Sequence, residues 1–151
     1  MPIKVGMPIK VLLADDSAIM LEALRKLLSD EPQIRIVGEA STFAAAMQMI
    51  ADFKPDVLLL DLHMPQKRGL HVPLVKAQLS CVEYTLAISF ANDEEAKSLA
   101  ASYGAVALLD KMSLYSQLMP AITLLTEPAP LPSQKLELQP GTQGLSLEPS
   151  E

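Results

Sequence analysis

The segment DVLLLDLHMP, residues 56–65, runs four apolar side chains together and sets an aspartate, Asp61, where the run stops. A short apolar run without alternation, ended by polar residues, fits a strand buried on both faces. A carboxylate at its end is costly to desolvate unless something compensates its charge. Working outward, comparable runs predict strands at KVLLAD (10–15), IRIVGE (34–39), TLAIS (85–89) and VALLD (106–110), with DVLLLD (56–61) as the third of five.

Helical patterns separate them. Met20, Leu24, Leu27 and Leu28 recur at helical spacing behind a capping Ser17, and Phe43, Ala46, Met47 and Ile50 do the same. A third helix is predicted to start near Val72, with Pro73 tolerated in its first turn. Asp93, Glu94 and Glu95 open a fourth that Gly104 closes, and a fifth runs from a capping Ser113 to about Leu125. Alternation of this kind implies an α/β fold: a doubly wound, five-stranded parallel sheet with helices on both faces, in the flavodoxin-like strand order 2-1-3-4-5.

The bulk properties agree with one domain. The chain has 151 residues, half of them hydrophobic, so a large core can form without disulfides. A net charge of −6 argues against nucleic acid or an anionic membrane as a direct partner. Cys81 is the only cysteine, which excludes an intrachain disulfide and gives no zinc pattern. No apolar run is long enough for a membrane span and no signal peptide is visible, so a cytoplasmic location is expected.

The domain is expected over residues 9–125. The segment 126–151, rich in proline and without an aromatic residue, is expected to be a disordered tail, with a short docking motif around LEL as the alternative. MPIKV occurs at 1–5 and again at 7–11; only the second copy leads into LLADD, so it should be the strand and 1–8 an extension.

Ligands of open parallel sheets bind beyond the carboxyl ends of the strands, where the winding reverses. The first strand ends in Asp15 and Asp16, the third in Asp61, the fourth in Ser89, and the fifth runs into Lys111. Each alone would be an ordinary turn or surface residue. Together, two carboxylates about 4 Å apart repel by about 4 kcal/mol at an effective dielectric of 20, a cost that a bound cation removes. Carboxylates without cysteine or paired histidines favour a hard, oxygen-preferring ion, and a half-open site suits Mg²⁺. A metal, a carboxylate, a hydroxyl and an ammonium make a phosphoryl-transfer site with Asp61 as acceptor.

LLADDS (12–17), VLLLDLHMP (57–65) followed by Gly69, AIS (87–89) and LLDK (108–111) together resemble the receiver domain of two-component response regulators. LRKLLSDEPQIRIVGEA and PDVLLLDLHMP are most similar to receivers of the NarL/LuxR type, here without their DNA-binding domain. The resemblance implies that Asp61 accepts a phosphoryl group from a sensor histidine kinase or phosphotransfer protein. It implies that Asp16 ligates Mg²⁺ directly, Asp15 through water, and the His63 backbone carbonyl beside Asp61. Lys111, Ser89 and the backbone N–H groups of Leu62 and Phe90 would hold the phosphoryl oxygens, while the His63 side chain is expected in solvent. Output would pass by protein contact through the face made by the fourth helix, fifth strand and fifth helix, with self-association left open.

Two positions depart from the family pattern. Leu108 stands where an aromatic residue usually reports switching, and the bulky Phe90 follows the hydroxyl residue where a small one is usual. They motivate an alternative, a phosphorylation-independent interaction module on the same fold; a fragment of a longer DNA-binding regulator is a further one. An enzyme acting on an external substrate is disfavoured. A dehalogenase-like phosphatase would carry a second acid where His63 stands, and ADDSA lacks the glycines of a dinucleotide-binding turn. Only Mg²⁺-dependent self-phosphorylation and autodephosphorylation are expected.

Overall fold

Each apolar run becomes a strand and each amphipathic run a helix, in the order β1 (Ile9–Ala14), α1 (Ala18–Ser29), β2 (Ile34–Ala40), α2 (Phe43–Phe53), β3 (Val57–Asp61), α3 (Val72–Leu79), β4 (Tyr84–Ser89), α4 (Glu94–Ser102), β5 (Ala107–Asp110) and α5 (Leu114–Thr126). The computed structural model describes residues 7–64 and 72–126. The first MPIKV copy, Gly69 and residues 127–151 of the tail expected to be disordered lie outside the described residues; Thr126, placed in that tail by the sequence reading, is the last residue of α5. The second MPIKV copy does enter β1, at Ile9.

The five strands form one parallel sheet in the order β2-β1-β3-β4-β5, as the sequence predicts. Alternate side chains of the central strands go to opposite faces. Val57 and Leu59 join Val11, Leu13 and Ile88 under Leu24 and Leu28 of α1 and Leu118 and Ile122 of α5. Leu58 and Leu60 join Leu12 and Ala87 under Phe43 and Ile50 of α2, Val75 and Leu79 of α3, and Ala100 of α4. Every residue of β3 is buried, so the run that decides the fold is also the floor of both cores.

Local chemistry fixes the ends. Ser17 Oγ accepts from the Met20 N–H, Thr42 Oγ1 from Ala45 and Asp93 Oδ1 from Ala96, which caps α1, α2 and α4. Gly104 closes α4 at φ +77°, with N–H bonds from Gly104 to Ala101 and from Ala105 to Ala100. The chain enters α5 through a 3-10 turn, Lys111–Ser113. That turn is capped by Asp110, whose Oδ1 accepts from the Met112 N–H, and α5 follows it directly at Leu114, the residue after Ser113.

Gly38 has a packing reason: a Cβ there would meet Met49 Sδ at 3.0 Å and Leu12 Cδ1 at 3.1 Å, beside the register shift between β1 and β2. Pro120 stands inside α5 on its exposed face, where it removes one helical N–H donor. The helix persists because Leu118 and Ile122 are fully seated in the core. Pro120→Ala should therefore stabilise the protein by about 1–3 kcal/mol in urea denaturation, since alanine restores the missing bond at an exposed position.

Candidate functional site

Parallel register builds the site at the last rungs of the sheet and the residues just beyond them. Ala14 pairs with Leu60, so the Asp15 and Asp61 positions follow each other on neighbouring strands. Asp61 pairs with Ile88, which places Ser89 next to it, and Ser89 pairs with Asp110, which delivers Lys111. All four chemical groups reach one edge without any long loop.

The strand ends share a local device. Asp15 Oδ1 accepts from the Ser17 N–H at 2.9 Å, Asp61 Oδ1 from His63 at 3.0 Å, Ser89 Oγ from Ala91 at 2.9 Å, and Asp110 Oδ1 from Met112 at 2.9 Å. Each is a side chain bonding the backbone two residues on, which turns the chain sharply out of the sheet. For Asp15 and Asp61 one carboxylate oxygen is held by the turn while the other, Oδ2, faces Lys111.

The Lys111 ammonium lies 2.8 Å from Asp15 Oδ2 and 3.4 Å from Asp61 Oδ2, with all three side chains almost fully buried. Among the described residues, Asp15 Oδ2 has no hydrogen-bond partner of good geometry, so the nearby ammonium is its electrostatic counterweight. Burial pushes the Asp61 carboxyl above the ordinary carboxylate range; the His63 N–H and Lys111 oppose this, and the Asp15 charge reinforces it. Asp16, by contrast, is exposed at the rim.

Asp15, Asp16 and Asp61 each offer an oxygen within 4.8 Å of the others, a set able to hold a metal ion. Oxygen donors, a buried carboxylate oxygen short of donors and one exposed carboxylate fit a hard divalent cation that keeps part of its water shell. The expected grouping of Asp15, Asp16, Asp61, Ser89 and Lys111 is therefore met in space.

Three features depart from the sequence reading. The His63 ring is not simply solvated: its Nε2 lies 2.9 Å from Ser89 Oγ. The Leu62 N–H, expected to face phosphate, donates instead to the Ile88 carbonyl at 3.1 Å, because it continues the β3–β4 ladder; the N–H aimed at Asp61 belongs to His63. Phe90 stands 63% exposed with its ring centroid 5.0 Å from Lys111 Nζ, a cation–π contact at the mouth of the site. No sequence spacing signals these contacts, since each joins a side chain or backbone group to a neighbouring strand or the loop that follows it.

The chain matches the response regulator receiver domain over residues 11–123. By sequence it is 38% identical over 105 residues to protein-glutamate methylesterase/protein-glutamine glutaminase 5 of Myxococcus xanthus, covering 69% of this chain and 30% of that protein. The corresponding protein of Pyrococcus horikoshii is 32% identical over 109 residues, covering 72% of this chain and 30% of the relative. The chain thus spans under a third of the length of these relatives. Among solved structures, the signal receiver domain of the NarL regulator from Mycobacterium tuberculosis is 28% identical with a TM-score of 0.69, covering 82% of this chain and 100% of that one. The response regulator domain of Thermotoga maritima CheB shares the fold at 24% identity and a TM-score of 0.67, covering 82% and 99%.

The charge balance makes two opposite predictions, both read from denaturation midpoints in EDTA. Asp61→Asn should stabilise the metal-free protein by about 1–2 kcal/mol, because it removes one of two crowded buried carboxylates. Lys111→Met should destabilise it by about 3 kcal/mol at neutral pH, because Asp15 is left buried without its counterion. Equal effects of the same sign would contradict the balance described.

Proposed function

We propose, from the premise that the chain belongs to the response regulator receiver domain family, that it is a phosphorylation-dependent signalling switch with Asp61 as phosphoryl acceptor. The observation that carries this reading is the meeting of three carboxylates within 4.8 Å beside the Lys111 ammonium. A sensor histidine kinase or phosphotransfer protein is the donor, and residues 9–125 form the responding unit.

In the transfer, Asp61 Oδ2 attacks phosphorus, the N–P bond of the donor phosphohistidine breaks, and the imidazole keeps the electron pair. Asp16 directly, Asp15 through water and the His63 backbone carbonyl would hold Mg²⁺ with Asp61. The bound ion supplies neutralisation of the phosphoryl oxygens. Lys111, already 3.4 Å from Asp61 Oδ2, shifts its charge from carboxylate to phosphoryl oxygen. Ser89 and the Phe90 N–H complete the grip on the product, and the His63 N–H takes the place expected of Leu62.

The aspartyl phosphate adds roughly −1.5 to −2 charge where burial already disfavours one carboxylate, so new contacts to Ser89 and Lys111 must form. Repacking of α4, β5 and α5 then presents a surface to an output protein. The chemistry is confined to self-phosphorylation and autodephosphorylation, with no separate substrate, no direct contact to nucleic acid or membrane, and a cytoplasmic setting. Among the described residues no helix is long and apolar enough to cross a membrane.

A phosphorylation-independent interaction module is favoured by one observation, the exposed Phe90 ring set over Lys111 at the mouth of the site. Amide NMR spectra with Mg²⁺ and beryllofluoride separate the two. The switch reading expects shifts around Asp61, Ser89 and Lys111 that extend into α4 and α5 and vanish in Asp61→Asn. A spectrum unchanged by beryllofluoride would leave the module reading in its place.

A further inference from the structure

We propose that the His63 side chain tethers the Ser89 hydroxyl in the unphosphorylated protein, so that the phosphoryl group must win this hydroxyl from His63. The inference rests on the phosphoryl-acceptor reading and assigns the imidazole a role that the reading leaves blank.

The hydroxyl has one proton and two lone pairs. The described contacts of Ser89 Oγ are two: it accepts from the Ala91 N–H at 2.9 Å, and it lies 2.9 Å from His63 Nε2. If Nε2 carries no proton, it holds the hydroxyl proton that a phosphoryl oxygen would need. If Nε2 is protonated, it occupies the second lone pair, and the oxygen is pinned between two donors. In either tautomer the hydroxyl oxygen is tied to the β3 loop, and on this proposal a phosphoryl group on Asp61 draws it from that partner. The Ala91 bond is local, two residues along the same turn, and travels with the serine; the His63 bond crosses from the β3 loop to the end of β4 and does not.

The two residues are unequal in setting. Ser89 is buried and fixed by the β4–β5 rung, whereas His63 is exposed and free to swing outward once displaced. His63 is thus a positioning residue acting through Ser89. It favours the unphosphorylated arrangement and weakens the grip on the phosphoryl group by the worth of one hydrogen bond.

The test is a double-mutant cycle on beryllofluoride affinity at saturating Mg²⁺, followed by fluorine NMR. His63→Ala should tighten binding about fivefold, the value of one net hydrogen bond. His63→Gln, whose amide can reach the hydroxyl, should move affinity back toward that of the unmodified chain. In a Ser89→Ala background, His63→Ala should change nothing. The same tightening in both backgrounds would mean that the ring merely obstructs the mouth, and no tightening would mean that it holds nothing; either overturns the inference alone. Absence of binding to the unmodified chain and to His63→Ala alike overturns the phosphoryl-acceptor reading and this inference with it. In the ligand-free protein, Ser89→Ala should shift the His63 Nε2 nitrogen resonance, and an unmoved resonance also overturns the tether.

Discussion

One ammonium set between two buried carboxylates governs the rest of the molecule. Lys111 sits 2.8 Å from Asp15 and 3.4 Å from Asp61, and Asp16 adds a third negative charge at the rim. A single positive charge does not balance the set, and the Asp61 carboxyl is raised above the ordinary range, chiefly by burial and further by the Asp15 charge. Because β1, β3 and β4 are packed on both faces, the strand ends cannot splay to relieve the repulsion. The sheet holds these carboxylates together, and a cation, protonation of Asp61 or chemistry there would relieve the repulsion. Stability and function thus pull against each other at the same atoms.

The precision of the site comes from short-range turns more than from long loops. At the ends of β1, β3, β4 and β5 a side-chain oxygen captures the N–H two residues on, so the backbone leaves the sheet along a fixed path. At the two carboxylates this leaves one oxygen aimed inward. At Ser89 it leaves the hydroxyl to be shared, and His63 is the group that takes the remaining share. Phe90, one residue on, turns outward over Lys111 and screens the ammonium from water on that side.

Much of this was legible in the sequence, for a physical reason. In a parallel sheet a strand's last residue is forced to one edge, so Asp15, Asp61, Ser89 and Lys111 could be grouped once their strands were found. Helix caps at Ser17 and Asp93 were equally readable, because a cap bonds only its own first turn. What escaped were contacts between different strand ends: the His63 ring on Ser89, the Phe90 ring on Lys111, and the Leu62 N–H absorbed by the sheet. The 3-10 turn at Lys111–Ser113, capped by Asp110, also escaped, since one short turn between strand and helix leaves no periodic pattern. The sequence pattern carries the fifth helix through Pro120, and the helix does run through it, with the proline on the exposed face and Leu118 and Ile122 buried.

The central claim is that this overcrowded carboxylate edge is a phosphoryl acceptor. Its most direct measurement is the intact mass of the protein after incubation with a small acyl phosphate and Mg²⁺, followed by borohydride reduction and peptide mapping. The account predicts one added phosphoryl group per chain, trapped at Asp61 and absent when Mg²⁺ is chelated. An unmodified mass, or a modification mapped to any residue other than Asp61, would contradict it.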